Sequence, residues 1–506
     1  MQEITDNKTV QYGDETPIAA FSTAPGNSAL TLIRCSGKNS IDLAASILSS
    51  DKIKTTPGST VIHCWVISKE QITKNREQSA KHREQSAESK ELEPQVRRID
   101  EVLVSVFRAP KSYTGEDSLD ICCHGGAVTG KAVMEALKKA GFRDALPGEF
   151  TFRAFMNGKL DLTQSESVME IVSAKTEAGR RHSVTRLSGS LQKEINDLKQ
   201  LLLQVLAGAE IFLDYSEDEI SPAIDIAGAE ESAGKLPDKD TALLVLSRLQ
   251  KLSGSWQLER IYREGITVVI AGKPNAGKSS LFNSLLKEDR SIVTETPGTT
   301  RDWIEAWVSI DGIPIRLVDT AGLRESSDSV EKIGVERSYV LLQEADIILY
   351  LIDGEHGITD EDKNYIENNC SHSVNGTRRL FIWNKCDIAP LPQPFPAADC
   401  TPICVSAKTG EGLTELYAAI TKTIHLQTTD THELSVASLG TERQKKLVDS
   451  ACAALEEALA LTERDEPLDL IAPMLREAVS LLGEITGEVS TADILEEMFG
   501  RFCVGK

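Results

Sequence analysis

The sequence predicts a multidomain α/β + α fold, in which a parallel α/β domain interrupts a helical domain that follows a small α+β domain. Three observations lead to this fold class. The chain has 506 residues, which is too long for one ordinary hydrophobic core. Its first part contains short apolar strands separated by Gly and Pro. Its later part alternates strands with helices between two blocks of helical periodicity.

Composition places the chain among globular proteins and limits its possible partners. Apolar residues make up 41% and charged residues 26%, which is ordinary usage for a folded protein. The formal net charge of −22 argues against a surface covered by nucleic-acid contacts, because phosphates need clustered Lys and Arg. Two local basic clusters occur, at Arg180, Arg181 and Arg186 and at Arg443, Lys445 and Lys446. Ion-paired helix faces explain each cluster most simply.

The sequence predicts a cytoplasmic protein with reduced thiols and no membrane span. No stretch reaches the roughly 18 apolar residues of a membrane span, and the first residues are polar and acidic, unlike a secretory signal. The ten cysteines include no C-x-x-C motif. Cys122, Cys123 and His124 are adjacent, but neighbours in a strand point to opposite faces, which argues against a metal site there.

The N-terminal domain is predicted to span residues 1–137 and to be rich in strands. Apolar or alternating runs, the pattern of half-buried strands, occur at residues 17–37, 60–67, 102–107 and 119–123. A polar insertion at about 69–98 cannot supply a core. We expect it to be an exposed loop or a short solvated helix.

A helical domain in two parts, residues 138–264 and 428–506, is predicted to flank an inserted domain at 265–427. Val168, Ile171 and Val172 recur at helical spacing within 160–213, and Leu and Ala do so within 443–502. Between these blocks, strands such as 266–271 and 345–352 alternate with helices. This alternation indicates a parallel sheet with crossover helices.

The inserted domain carries a phosphate-binding motif. Residues 272–279 fit G-x-x-x-x-G-K-[ST], directly after a buried strand and before an apolar helix. Glycines let the backbone wrap around a phosphate, Lys278 neutralises the charge of the β and γ phosphates, and Ser279 can ligate Mg²⁺. The predicted nucleotide contacts in this loop are Asn275, Ala276, Gly277, Lys278, Ser279 and Ser280.

Three further segments identify the nucleotide as GTP. The strand that ends in Asp319, Thr320, Ala321 and Gly322 is expected to pair with residues 303–310 through the Asp311-Gly312 turn, which places Asp319 near the metal. A second strand ends in Asn384, Lys385, Cys386 and Asp387. The Asp387 carboxylate can accept two hydrogen bonds from guanine, a pattern that adenine does not offer. The third segment, Ser406, Ala407 and Lys408, completes the predicted base pocket.

The catalytic residue is not evident from the general GTPase pattern. Ras-like GTPases place a Gln after D-x-x-G to orient the attacking water, but this chain has Leu323. Four charged residues follow closely: Arg324, Glu325, Asp328 and Glu331. A carboxylate among them could orient the water, or all four could be loop residues without a catalytic role.

The chain resembles the MnmE (TrmE) family of tRNA-modification GTPases over nearly its whole length. The resemblance rests on the P-loop G-x-P-N-A-G-K-S-S, on residues 297–302 and 319–331, and on the C-terminal tail 502–506. It also includes N-terminal motifs at 32–37, 113–117, 124–126, 147–150 and 157–162. It implies a tetrahydrofolate-binding type of N-terminal domain, a helical domain and an inserted Ras-like P-loop GTPase domain.

The resemblance also implies how GTP is hydrolysed. In this family K⁺ lies where other GTPases use an arginine finger, and the cation offsets transition-state charge. The matching K⁺ positions are Asn275, Thr294, Thr296 and Thr299. The loop over the nucleotide comprises Thr294, Glu295, Thr296, Pro297, Gly298, Thr299 and Thr300, with Thr300 on Mg²⁺. Glu331 matches the family's catalytic glutamate, and it is predicted to act with Lys278 and Arg324.

For the N-terminal domain, the resemblance implies dimerisation and a folate site for 5-formyltetrahydrofolate or a related one-carbon carrier. Arg34, Lys159 and Lys506 match folate-contacting positions. Asp120 stands where the family usually has Glu, so its contact with the pterin would be water-mediated or missing. Cys503 matches the tail cysteine, which is either a thiol for chemistry or a packing residue.

The family's reaction adds an aminomethyl or carboxymethylaminomethyl group to C5 of the wobble uridine of certain tRNAs. It uses a flavin-dependent partner of the MnmG/GidA type, with which the homodimer forms a heterotetramer. This chain has no G-x-G-x-x-G after a strand to bind FAD itself. GTP hydrolysis would open and close the G domains of the dimer. The alternative is a regulatory or ribosome-assembly GTPase with no direct part in modification, which would need neither the folate motifs nor the tail.

Overall fold

The computed structural model of the protein describes residues 12–24, 26–69, 96–214, 236, 238–287, 291–292, 304–319, 345–369, 377–392, 395, 401–425 and 437–505. The chain divides into two compact units, each described here by itself. The first comprises Met1–Ser165 with Gly487–Lys506, and the second comprises Glu166–Thr486. No helix among the described residues is long and apolar enough to cross a bilayer. The predicted cytoplasmic location stays a prediction.

The first unit is built on a six-stranded sheet whose strand order is β3-β4-β5-β2-β1-β6. The strands are β1 (Ile18–Phe21), β2 (Leu30–Ser36), β3 (Thr60–Lys69), β4 (Val96–Phe107), β5 (Ser118–His124) and β6 (Arg143–Asp144). The helices are α1 (Ser40–Ala45), α2 (Ala127–Ala140) and α3 (Glu149–Met156), with a 3₁₀ turn at Asp51–Lys54. The core on one face of the sheet includes Ile33, Cys35, Val104, Ile121, Val133 and Leu137.

Strands β3 and β4 are longer than the sequence indicated. The pairs Ser68↔Arg97 and Lys69↔Val96 continue the antiparallel ladder into the predicted polar insertion. The prediction of a loop or solvated helix was therefore wrong at both ends of 69–98. Cross-strand hydrogen bonds join backbone groups and do not require apolar side chains. The polar ends of these strands therefore lack the hydrophobic pattern by which a strand is predicted from sequence. Residues 70–95 lie outside the described part of the chain.

The C-terminal tail packs into the first unit, through its helix Ala492–Gly500 and the residues that follow. The Phe499 ring is fully buried, 5.4 Å from both Phe152 and Phe502. Gly148 has φ +67, and a Cβ there would lie 2.7 Å from the Phe499 carbonyl oxygen. Residues 138–165 and 487–506 therefore group with the N-terminal residues, whereas the sequence had assigned them to the helical domain. The remaining predicted domain boundaries stay predictions.

A buried carboxylate fixes the start of α3, against which the tail packs. Glu149 is fully buried and accepts hydrogen bonds from Arg143, Arg153 and the Leu146 amide. A buried charge is stable only with such partners. The motif Pro147-Gly148-Glu149-Phe150 is therefore a structural anchor for this unit.

The second unit begins with helices. They are α4 (Leu162–Ser173, whose first residues lie in the first unit), α5 (Glu177–Leu187), α6 (Ser190–Asp214) and α7 (Lys239–Glu264). After the sheet described next come two further helices, Glu442–Glu463 and Leu468–Thr486. The long helices bury one apolar stripe each, which explains their helical periodicity. Their shared core includes Leu198, Leu202, Leu249, Leu455, Leu475 and Leu482.

The α/β part of this unit contains a seven-stranded sheet with the order β13-β12-β11-β7-β10-β9-β8. The strands are β7 (Ile266–Gly272), β8 (Ser291–Ile292), β9 (Ile304–Ile310), β10 (Ile313–Asp319), β11 (Ile347–Asp353), β12 (Arg378–Asn384) and β13 (Ile403–Val405). The helices are α8 (Lys278–Lys287), α9 (Asp360–Asn369) and α10 (Leu413–His425). Strands β13, β12, β11, β7 and β10 are parallel, as predicted, while β9 and β8 pair antiparallel. The two helices that follow this part of the chain are α11 (Glu442–Glu463) and α12 (Leu468–Thr486).

The two basic clusters found in the sequence are neutralised within the second unit. Arg186 is only 3% exposed and pairs with Glu170 and Glu259 at 2.6 and 2.8 Å. Arg180 and Arg181 share Glu177, and Arg443 pairs with Glu166. The predicted ion pairing of these helix residues is therefore confirmed, whereas the burial of Arg186 was not predicted.

Candidate nucleotide-binding site

The predicted phosphate loop lies at the carboxyl end of β7, in the middle of the parallel sheet. Strand β7 lies between β10 and β11, and the chain runs from β7 to the strands on the β10 side before it returns past β7 to β11. The connections that follow β7 and β10 therefore run in opposite directions across the sheet. In open α/β sheets a crevice for ligands forms at such a reversal.

The loop between β7 and α8 has the backbone shape of a phosphate cradle. Asn275 has φ +65 and Gly277 has φ +93, so the chain reverses tightly before the helix begins at Lys278. A Cβ on Gly277 would lie 2.2 Å from Nδ2 of Asn384, which excludes any side chain there. The Lys278 ammonium donates to the carbonyl oxygens of Gly272 and Lys273, at 3.0 and 2.8 Å. It therefore lies across the mouth of the loop, beside the helix N-terminus that favours anions.

Oxygen ligands that suit Mg²⁺ meet next to this loop. Ser279 Oγ donates to the Asp319 carboxylate at 2.8 Å, and Asp319 is 1% exposed. Mg²⁺ binds through one or two protein oxygens together with substrate phosphates, so the hydroxyl and the carboxylate fit this ion. Thr300, the other predicted Mg²⁺ ligand, lies outside the described residues.

Asn384 links the phosphate loop to the base loop. Its Nδ2 donates to the Ala276 carbonyl at 2.8 Å, and its Oδ1 accepts from the Ala407 amide at 3.0 Å. Its own carbonyl accepts from the Gly354 amide at 3.0 Å. The side chain is 2% exposed, so water cannot replace these bonds. Asn384 was predicted from its motif, but the sequence did not show that it joins these segments.

Two carboxylates that the sequence analysis missed hold Lys385. Its ammonium donates to Asp353 and Glu355, both at 2.9 Å, and these hydrogen bonds raise the pKa of Lys385. Asp353 ends β11, the strand beside β12. Carboxyl ends of parallel strands meet at one edge, so the position of Asp353 was a usable signal.

The remaining base-pocket residues lie on the adjoining loops. Asp387 and Lys408 are exposed, whereas Ser406 is fully buried and accepts from the Thr409 amide through its hydroxyl. Cys386 donates its amide to the Val405 carbonyl at 3.3 Å, which ties the two loops together. The predicted guanine-binding segments are thus adjacent, and Asp387 is open to a base.

Other predicted site residues lie outside the described part of the chain. These are Thr294, Glu295, Thr296, Pro297, Gly298, Thr299, Thr300, Thr320, Ala321, Gly322, Arg324, Glu331 and Lys506. Of the four predicted K⁺ ligands, Asn275 alone is described. The K⁺ site and the catalytic glutamate therefore stay predictions.

In the first unit, the structure brings together most of the predicted folate residues. Arg34 pairs with Asp120 at 3.1 Å across neighbouring strands, and its guanidinium lies 5.6 Å from the centre of the Tyr113 ring. The Tyr113 hydroxyl bonds to Thr151 at 2.9 Å, and burial raises the pKa of this phenol. The Lys159 ammonium donates to the Pro110 carbonyl, and its chain passes Gly115. Tyr113 was quoted in a motif but not predicted as a site residue.

The tail contacts the end of β1, the strand that pairs with β2. A Cβ on Gly505 (φ +95) would lie 2.3 Å from the Phe21 carbonyl oxygen, so only glycine permits this approach. Cys503 is exposed, and its carbonyl accepts from the Gly148 amide at 3.3 Å. A packing role for the Cys503 thiol is therefore not favoured, and its chemical role stays a prediction.

The adjacent residues Cys122, Cys123 and His124 do not converge. Cys123 is buried in the core, while His124 pairs with Asp100 at 2.8 Å. Among the described residues, one group has metal-ligand spacing: Asp353, Glu355 and His356. Lys385 already neutralises two of its members.

Comparisons with known proteins cover nearly the whole chain. The model of the TrmE N-terminus, described as a GTP-binding protein, matches residues 17–159, and that of the MnmE helical domain matches 162–503. The tRNA modification GTPase MnmE of Treponema denticola is 40% identical over 505 residues, covering 98% of this chain and 99% of that protein. The protein of the same name from Carboxydothermus hydrogenoformans is 37% identical, covering 97% of this chain and all of that one (100%).

Two solved structures each match about a third of this chain. Aquifex aeolicus Era is 27% identical and covers 37% of this chain and 66% of that chain, with a TM-score of 0.25. The G domain of the T. maritima FeoB transporter is also 27% identical, covering 31% of this chain and 98% of that chain, with a TM-score of 0.24.

Replacing Asn384 should uncouple the phosphate and base loops. In Asn384→Ala, the Ala276 carbonyl and the Ala407 amide lose their partners, at about 1–3 kcal/mol for each unsatisfied group. We expect GTP affinity, measured by titration calorimetry, to fall by at least about tenfold. Asn369→Ala is the matched control, since within the described residues the Asn369 side chain bonds to the Tyr365 carbonyl of its own helix, α9. Equal GTP affinity for Asn384→Ala and the native protein would show that this link is dispensable.

Proposed function

This chain belongs to the MnmE family of tRNA modification GTPases, and from that premise we propose that it hydrolyses GTP during modification of the wobble uridine of tRNA. One observation carries the proposal. The same chain has a guanine-nucleotide pocket joined by Asn384 and an N-terminal cluster around Arg34 that a simple GTPase switch does not need. Its relatives named tRNA modification GTPase match it over nearly their full length.

The pocket supplies binding and charge neutralisation for GTP. Amides at the start of α8 and the Lys278 ammonium would face the β and γ phosphates of GTP, and Ser279 and Asp319 would hold Mg²⁺. When bound, Mg²⁺ neutralises charge that develops on the phosphates. Asp387 selects guanine through two accepted hydrogen bonds. Glu331, with Arg324 nearby in sequence, is proposed to orient the attacking water in place of the missing Gln.

A potassium ion is proposed to complete the phosphate site. Asn275 would provide one oxygen, and Thr294, Thr296 and Thr299 the others. A monovalent cation in this position offsets transition-state charge as an arginine finger does. Asn275 has a left-handed backbone (φ +65) and lies in the tight turn before α8, next to the proposed phosphate site.

The N-terminal cluster is proposed to bind a one-carbon tetrahydrofolate. Tyr113 offers an aromatic face, while Arg34 and Lys159 offer cations for carboxylates or carbonyls. Asp120 already accepts two hydrogen bonds from Arg34. Its proposed role is to orient this guanidinium, with any pterin contact passing through water. When bound, the folate supplies the one-carbon unit.

A homodimer through the N-terminal domain is proposed, on the sheet face opposite the core. Leu103, Val61 and Leu30 are exposed on β4, β3 and β2, with exposures of 49%, 60% and 56%. Leu103 is paired with Cys122 of β5 and with His63 of β3, so polar side chains also lie on this face. Exposed apolar side chains with polar neighbours are typical of an interaction surface.

A flavin-dependent protein of the MnmG/GidA type is proposed as the second partner, forming a heterotetramer that makes 5-carboxymethylaminomethyl or aminomethyl uridine. The second candidate function is a ribosome-assembly or regulatory GTPase. The Arg34 cluster and the buried tail favour the first, because the second gives neither of them a purpose.

Hydrolysis by Glu331 and K⁺ is tested with GTP alone. We expect turnover of the native protein to be at least about tenfold faster in K⁺ than in Na⁺, since the cation contributes transition-state charge. Glu331→Ala should lose turnover in both salts and keep GTP affinity. Asp328→Ala is the matched control and should hydrolyse GTP normally. Equal rates in the two salts would remove K⁺ from the mechanism, and normal turnover of Glu331→Ala would remove the glutamate.

The tRNA function is tested by mass spectrometry of wobble nucleosides. In cells lacking this chain, C5-modified wobble uridine should disappear, and it should return with the native protein but not with Glu331→Ala. Ribosomal subunit profiles serve as the second readout. Unchanged nucleosides with abnormal subunits would favour the ribosome-assembly alternative.

A further inference from the structure

The β9–β10 hairpin connects the nucleotide site to the helical part of the second unit. Asp319 ends β10, where its carboxylate accepts from Ser279. Ile304, its partner in the ladder, begins β9 four residues after Thr300. Trp307 and Arg316 are paired three residues along the hairpin, about 10 Å from this end. The hairpin is therefore short, and both of its strands reach the nucleotide end.

The middle and far end of the hairpin contact the corner between α4 and α5. The Lys175 ammonium lies 3.3 Å from the centre of the Trp307 ring. At the turn, a Cβ on Gly312 would lie 2.9 Å from the Ala178 Cβ, so the two backbones approach closely. We call these four residues, Lys175, Ala178, Trp307 and Gly312, the hairpin joint.

The connection from α7 to β7 presses on the same hairpin. Gly265 has φ +81, and a Cβ there would lie 2.4 Å from the Pro314 carbonyl oxygen and 2.9 Å from Trp307 Cζ3. Tyr262 and Ile261 of α7 pack on the apolar core of the α/β part. Trp307 is thus held between the end of α7 and the α4–α5 corner.

The Trp307 ring stabilises the charged form of Lys175, which its other surroundings disfavour. Burial and the neighbouring Arg316 lower the pKa of Lys175, while Glu264 and Glu305 act in the opposite sense. An aromatic face attracts an ammonium, most strongly when water is partly excluded. A small displacement of β9 would therefore alter the energy of this contact.

We propose that the hairpin joint is the contact through which the helical part of the protein senses whether GDP or GTP is bound, with Lys175 and Trp307 as its positioning residues. This inference rests on the proposed function in one respect: the joint would transmit the change from GTP to GDP to the parts of the protein that modify tRNA. A contact that differs between two nucleotide states must, by linkage, change their relative affinities.

The test measures dissociation constants for GDP and for a non-hydrolysable GTP analogue, and compares their ratio between variants. A cation–π contact made in only one state changes this ratio by about 2- to 30-fold when it is removed. We expect that change in Lys175→Gln, whereas Lys175→Arg, which keeps a cation over the ring, should retain the native ratio. Lys446→Gln is the matched control, because the Lys446 side chain is 74% exposed and its ion pair in the described part of the chain is with Glu442 in α11.

A second variant distinguishes loss of the contact from misfolding of the first variant. Trp307→Leu should shift the ratio in the same direction, and the Lys175→Gln/Trp307→Leu double variant should shift it no further than the larger single change. A native ratio in Lys175→Gln and Trp307→Leu, or an equal weakening of both nucleotides, would overturn the proposal. These measurements need no tRNA, so their failure is distinguishable from failure of the tRNA assignment.

Discussion

The nucleotide pocket depends on one buried side-chain amide, that of Asn384. A carbonyl from the phosphate loop and an amide from the base loop leave this side chain only one orientation, because one partner accepts and the other donates. Glycine at 277 lets the phosphate loop come close enough for this contact. The phosphate and base halves of the pocket are therefore formed together, and a nucleotide meets both in a fixed relation.

The sequence predicted the parts of the site that are contiguous in the chain. The phosphate loop follows β7, Asp319 ends β10, and Asn384 ends β12, because motif and strand are neighbours in sequence. Contacts between distant residues had no such signal. Phe499 packs on Phe152, Lys385 pairs with Asp353, and Arg34 pairs with Asp120, each through a register or packing that only the folded chain defines.

The environment of charged side chains was also only partly predictable from the sequence. Arg186 belongs to a basic cluster in the sequence, but its side chain is buried between two glutamates, because α4, α5 and α7 converge there. Removing one partner of such a group costs more than the pair contributes. The buried ions therefore hold the helices in register. The same helices contact the β9–β10 hairpin, whose end at Asp319 lies beside the phosphate loop.

The central claim is that this pocket recognises guanine through the exposed carboxylate of Asp387. The most direct measurement is calorimetric titration of the native protein and Asp387→Asn with GTP, ATP and xanthosine triphosphate. We expect the native protein to bind GTP tightly and to show no measurable binding of ATP. We expect the Asp387→Asn variant to bind xanthosine triphosphate more tightly than GTP. Equal binding of GTP and ATP by the native protein, or unchanged GTP affinity in Asp387→Asn, would contradict it.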